Sequence, residues 1–238
     1  MRQTGLLAER NLEYLPSIEL GFKRGTKDQA FFYFNNGYLE ITEDEINLKS
    51  YNELDTPIWE QQIIKRDIDL EHSGISDFFV FVNHLADGKE DRFRSLNSII
   101  GYLLHSYKNP SFTKAIVFAD QTIDQNGRAN GGTGKSLLMK GISQMVKMVQ
   151  LDGKNLKLKS NFIWQQITKQ TEILYLDDVL ENFSFENLYS SITEGLTVEK
   201  KYQGEVHIPY EEAPKIVISS NYVVKGTGGN SDERRKIS

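Results

Sequence analysis

The sequence predicts an α/β core built on a parallel sheet, preceded by a mixed strand-rich and helical N-terminal region. Three observations carry this. From Ala115 onward, β-type apolar runs alternate with helical ones. A glycine-rich loop, Asn126 to Gly134, separates the first of those runs from a segment with helical spacing. Aromatic and β-branched residues crowd residues 30–41 instead. At 238 residues, 39% hydrophobic and 11% aromatic, the chain can fill the core such a fold needs.

In order, Ala30-Phe-Phe-Tyr-Phe-Asn-Asn-Gly-Tyr-Leu-Glu-Ile41 reads as a hairpin around an Asn36-Gly37 turn. Residues 1–74 carry no assignable motif and form a strand-rich accessory or connector region. Over 75–110, Phe78, Phe81, Val82 and Leu85, then Leu96, Ile99, Ile100, Leu103 and Leu104, recur at helical spacings. Asn109-Pro110-Ser111 ends that pattern. In 111–238 the strands are Ala115–Ala119, Ile173–Leu176 and Ile216–Ser219. A helix is predicted over Leu137–Val149, its apolar stripe formed by Leu138, Ile142, Met145 and Val149.

Composition excludes several classes. With no cysteine, neither disulfides nor thiolate metal sites are available. The net charge of -5 argues against a broadly basic nucleic-acid coat but leaves room for a local basic element. The N-terminus lacks the apolar run of a signal peptide, and no stretch reaches the roughly 18 apolar residues of a membrane span. A cytoplasmic protein without membrane contact is the expectation. His72, His84 and His105 show no metal-ligand spacing, and Trp59, Trp164, Met139, Met145 and Met148 read as packing.

A strand, a glycine-rich loop and a helix starting at Lys135-Ser136 let backbone N–H groups and a helix N-terminus point at a polyphosphate. Asn130, Gly131, Gly132, Thr133, Gly134, Lys135, Ser136 and Leu137 are the predicted nucleotide-binding residues. Lys135 is expected to reach the terminal phosphates, and Ser136 to ligate Mg²⁺. Ala129 stands where the strict pattern has glycine. A nucleotide site also needs a carboxylate at the end of a neighbouring strand. Glu172-Ile-Leu-Tyr-Leu-Asp-Asp-Val179 supplies two, beginning 41 positions after Ser136 (177 − 136). Asp177 is assigned to the metal and Asp178 to water activation as general base. A third strand ends at Asn221, whose amide can orient the water or sense the γ-phosphate. Arg234 and Arg235 offer guanidinium groups for transferred charge, in this site or a neighbouring subunit's.

Between the second and third strands, Leu196–Ile208 alternates like a hairpin around Tyr202-Gln-Gly-Glu205. The order of Gly-Lys-Ser loop, Asp-Asp strand, Glu-Lys-Lys-Tyr hairpin, Ser-Ser-Asn strand and Arg-Arg resembles the superfamily 3 helicases of viruses, phages and plasmids. The likeness is strongest to the helicase part of phage and plasmid primase-helicase proteins, over roughly Phe112–Lys236. It implies an AAA+-like P-loop NTPase core that uses ATP and Mg²⁺ as a helicase in phage or plasmid DNA replication. It implies a homo-hexamer around single-stranded nucleic acid, DNA in the first instance with RNA left open, and replication proteins or a primase domain as partners. In the family, the hairpin lysine and the residue after it grip the nucleic-acid backbone, which assigns Lys201 and Tyr202 here, with Lys200 beside them. Tyr202 stands where some relatives carry His. Residues 1–238 hold no primase chemistry, and a continuation beyond Ser238 is expected. A helicase loader, a packaging motor or a nucleotide-dependent regulatory switch would share the loop and the acids.

Overall fold

The computed structural model describes residues 23–71, 74–120, 132–156, 158, 160, 162–200, 204–224, 226 and 229–237. The N-terminal region forms a four-stranded sheet of β1 (Ala30–Phe34), β2 (Gly37–Ile41), β3 (Ile46–Lys49) and β4 (Ile63–Ile64), in the order β3-β2-β1-β4. The predicted hairpin forms, with its turn one residue earlier than expected. Phe34 pairs with Gly37, so Asn35-Asn36 makes the two-residue turn and Gly37 opens β2. Phe32, Phe34 and Leu39 bury one face of this sheet against Leu104, Met145 and Val146.

Two helices follow, α1 (Asp77–Leu85) and α2 (Glu90–Leu104). The Ser76 side chain accepts from the Phe79 N–H, so α1 begins on a capped turn. Beyond them lie β5 (Ala115–Ala119), α3 (Lys135–Ile142), β6 (Met148–Asp152) and β7 (Ile173–Val179). The chain continues through α4 (Tyr189–Thr193), β8 (Gly195–Lys200), β9 (Gly204–Pro209), β10 (Lys215–Ser220), α5 (Asn230–Glu233) and β11 (Lys236–Ile237). Five strands, in the order β11-β5-β10-β7-β6, make an all-parallel sheet. Among the described residues, β8 and β9 pair only with each other, as an antiparallel hairpin.

Period-two alternation divides the parallel sheet's side chains between two apolar layers. Ile116, Ile173, Tyr175 and Val217 pack with Val82, Leu103, Leu138, Met139 and Ile142 of the three helices. Val117, Leu174, Leu176, Ile216 and Ile218 pack with Phe185, Ile192, Leu196, Val198 and Ile208, from α4, its lead-in and the hairpin. The strands are therefore apolar on both faces, as a covered parallel sheet requires.

The helix predicted over Leu137–Val149 is shorter than its stripe suggests. α3 stops at Ile142, the chain turns through Ser143–Val146, and Val149 lies in β6, opposite Leu174 of β7. Met145 and Val149 keep helical spacing by coincidence: one packs under the N-terminal sheet and the other is buried by strand alternation. Among the described residues, no helix is long and apolar enough to cross a membrane.

Candidate functional site

Parallel strands converge their C-terminal ends on one edge of the sheet, and the loops leaving that edge carry the polar side chains. Gly132 and Gly134 have φ of 74° and 85°, backbone that a side chain would strain. Gly134 also lies under α1, where an added Cβ would stand 2.8 Å from Leu85 Cδ2. The loop therefore closes onto α3 with Lys135 as its first helical residue.

The Lys135 ammonium donates to Asp120 Oδ1 at 2.5 Å, Thr133 Oγ1 at 3.2 Å and Asn221 Oδ1 at 3.3 Å. Ser136 Oγ lies 3.2 Å from Asp177 Oδ1. Asp177 sits in β7 and also accepts from Tyr175 OH at 2.6 Å, Ser219 Oγ at 2.9 Å and, on Oδ2, Gln150 Nε2 at 2.8 Å. Burial, then the hydrogen bond to Asp177, pushes the Tyr175 phenol up to about 12, so it remains a donor to the carboxylate. A hydroxyl facing a carboxylate is a hard-oxygen donor pair suited to Mg²⁺, which takes few protein ligands and completes its shell with water and phosphate.

Asp178 adopts a left-handed conformation, φ 58°, unusual for a residue with a side chain. Its backbone N–H donates to Ser219 Oγ at 2.9 Å, and its carboxylate accepts from Asn221 Nδ2 at 3.0 Å and Lys154 Nζ at 2.5 Å. The side chain thus points along the sheet edge and not into a face. The hydrogen bond from Lys154 to Asp178 holds the lysine above its ordinary pKa. Gly153, next to Lys154, packs against β7 so closely that a Cβ would stand 2.6 Å from Asp177 O.

Lys135, Ser136, Asp177, Asp178 and Asn221 are therefore gathered at one edge. Thr133 lies with them through Lys135, whereas the Leu137 side chain is 57% exposed. Arg234 and Arg235 lie elsewhere. They precede β11, whose Lys236 pairs with Ala115, so they sit at the opposite end of β5 from Asp120. Arg235 lies 4.6 Å from the Tyr189 ring and donates to Ser231 O at 3.0 Å, while Arg234 is exposed. Asn130, Gly131, Lys201 and Tyr202 lie outside the described residues, and Lys200 is the last residue of β8.

Five residues of this edge had no predicted role: Asp120, Gln150, Lys154, Tyr175 and Ser219. Asp120 follows β5, its side chain only 3% exposed. Burial alone would push its carboxyl up, but hydrogen bonds from Lys135 and Thr133 and the lysine's charge hold it below the ordinary carboxylate range. An isolated acid after a strand was its only sequence signal.

No family model and no curated protein matches the chain. Among solved structures it is similar to two apo structures of the NrS-1 C-terminal region. One is 17% identical with a TM-score of 0.48, the other 16% identical with a TM-score of 0.44. Each match covers 88% of this chain and 58% of the other, so the chain spans little more than half the length of these neighbours. The chain is a mixed α/β protein whose five-stranded, all-parallel sheet is compatible with a P-loop NTPase core.

Proposed function

We propose that the chain is the ATPase core of a nucleic-acid helicase or translocase acting in phage or plasmid genome replication. The observation that carries this is the gathering of Lys135, Asn221 and Asp178, hydrogen-bonded in a chain, beside the bonded pair Ser136 and Asp177, the two sets joined through Ser219 at one sheet edge. A lysine and helix N-terminus favour polyphosphate. Ser136 and Asp177 would hold Mg²⁺, which when bound neutralises charge on the β- and γ-phosphates. Asp178, in contact with Asn221 and Lys154, would accept a proton from the attacking water, and Asn221, shared with Lys135, would link that base to the ammonium facing phosphate.

The β8–β9 hairpin favours a motor over a loader or a switch. It is inserted between β7 and β10 and, among the described residues, pairs with no other strand; β8 runs to Lys200, which directly precedes Lys201 and Tyr202 in the sequence. In a homo-hexamer, six such tips would present weak contacts to one strand of nucleic acid, and their effects multiply. The placement of Arg234 at the far end of the sheet suits action in a neighbour's site.

ATP hydrolysis measured with and without single-stranded DNA tests the proposal, with Lys135→Ala as control. Hydrolysis that single strands stimulate and Lys135→Ala abolishes is the expected result. Slow turnover indifferent to nucleic acid would instead favour the switch.

A further inference from the structure

An ammonium has three N–H donors, and at Lys135 all three are engaged by the protein's own acceptors, Asp120, Thr133 and Asn221. The shortest contact, 2.5 Å, is to the one charged acceptor. Asp120 Oδ1 also accepts from the Thr133 hydroxyl, so the loop and the lysine are tied to the same oxygen. Oδ2 is buried and finds no hydrogen-bond partner among the described residues.

We infer that Asp120 is an internal stand-in for nucleotide phosphate, a counter-ion that occupies Lys135 and that an incoming polyphosphate must displace. This rests on the reading of residues 132–136 as a phosphate loop. Lys135 has no spare N–H, so donation to a β- or γ-phosphate requires it to release at least one present acceptor. Of the three, the carboxylate is the one whose charge competes with phosphate. Displacement is opposed, because it leaves a nearly buried carboxylate without its cation. The carboxylate therefore lowers affinity for polyphosphate, and the acid after β5 sets how readily the site fills. Thr133 donates to the same oxygen, so the carboxylate keeps one neutral donor when the lysine leaves it.

The probes are a fluorescent ADP analogue and inorganic tripolyphosphate as competitor, the second isolating phosphate chemistry from base and sugar. Asp120→Asn keeps the shape and removes the charge. Binding of both probes is expected to tighten about tenfold, the scale of one charge-assisted hydrogen bond. Asp120→Ser, smaller and also uncharged, must shift affinity in the same direction, which covers a folding defect peculiar to either variant. In a Lys135→Ala background Asp120→Asn must have no effect, because the competition runs through the ammonium. Unchanged or weaker binding by both single variants, with wild type binding normally, overturns this inference alone and makes Asp120 a positioning residue for Lys135. Failure of wild type to bind either probe overturns the phosphate-loop reading, and this inference with it.

Discussion

Asn221, just beyond β10, donates its side-chain amide to Asp178 Oδ1 at 3.0 Å, across the boundary between β10 and β7. The contact orients a carboxylate whose backbone already sits at φ 58°. Geometry this specific is costly unless the surroundings fix it.

Asp178→Asn is accordingly expected to bind MgATP normally and hydrolyse it at least ~100-fold more slowly, the low end of what a positioned base contributes. Single-turnover hydrolysis alongside nucleotide binding separates the two effects. Near-normal turnover would move the base to another residue.

The two arginines should part company. Arg235 is held over Tyr189 and bonded to Ser231 O, so Arg235→Ala should chiefly lower stability, by about 1–2 kcal/mol or roughly 3–6 °C in Tm. Arg234 is exposed and held only by a long hydrogen bond from Nε to Asn230 O at 3.3 Å, so it can reach a neighbour, and Arg234→Ala should slow hydrolysis by about 10³-fold with the fold intact. Mixing it with Lys135→Ala should restore part of the activity, by pairing an intact lysine site with an intact arginine. No recovery in a verified mixed oligomer would count against action between subunits.

Replacing Lys201 and Tyr202 together by alanine should weaken binding of single-stranded DNA and flatten its dependence on salt. Each lost phosphate contact releases fewer counterions, with a slope change of about 0.7 per contact on single strands. Fluorescence anisotropy across a salt series reads the slope directly. Equal affinity and equal slope in wild type and variant would make the hairpin structural.

At the other end of the sheet, stability should rise with pH. Lys108 donates to Ala213 O at 3.0 Å and Lys215 to Tyr102 O at 2.5 Å. Burial, then the charge of Lys215, pushes Lys108 down to about 7, and burial pushes Lys215 down to about 8. Above these values the folded chain has released protons that the unfolded chain keeps until about 10.5. Stability therefore increases from about pH 7 toward pH 10, by up to about 1.4 kcal/mol per pH unit for each lysine. Glu172, held above its ordinary range by burial, acts in the opposite sense: its contribution is lost as pH rises through its folded pKa. In urea titrations of wild type and Lys108→Met at pH 7, 8 and 9 the variant should show the shallower rise, and loss of the Lys108 charge beside Glu172, which raises that carboxyl further, acts in the same direction. Parallel pH profiles would show that Lys108 stays charged in the fold.

Much of this architecture is legible in the residues. β7 and β10 read as strands because they are buried on both faces and so run continuously apolar, and the turn-bounded alternation at 196–208 gives the hairpin. β6 does not read as a strand. Met148-Val-Gln-Leu-Asp152 follows α3 at spacings that continue the helical stripe, and only pairing with β7 settles its conformation. Asp120 is hidden for a different reason. Its partner Lys135 lies 15 positions away, a separation with no periodic meaning, so the pair exists only once the fold sets the start of α3 beside the end of β5. The same holds for Ser219 and Tyr175, which read as interior strand residues until Asp177 is placed between them.

β10 is gripped at both ends. Asn221, past its last residue, touches Asp178 and Lys135; Lys215, its first, holds the carbonyls of Tyr102 and His105 at the close of α2. Six residues at about 3.3 Å each make a stiff span of about 20 Å, hemmed by β5 and β7. Such a strand transmits displacement lengthwise far more readily than it bends. If Asn221 meets phosphate as proposed, a tug on its amide would be delivered to the foot of the helical lead-in, as a pushrod carries motion through a wall.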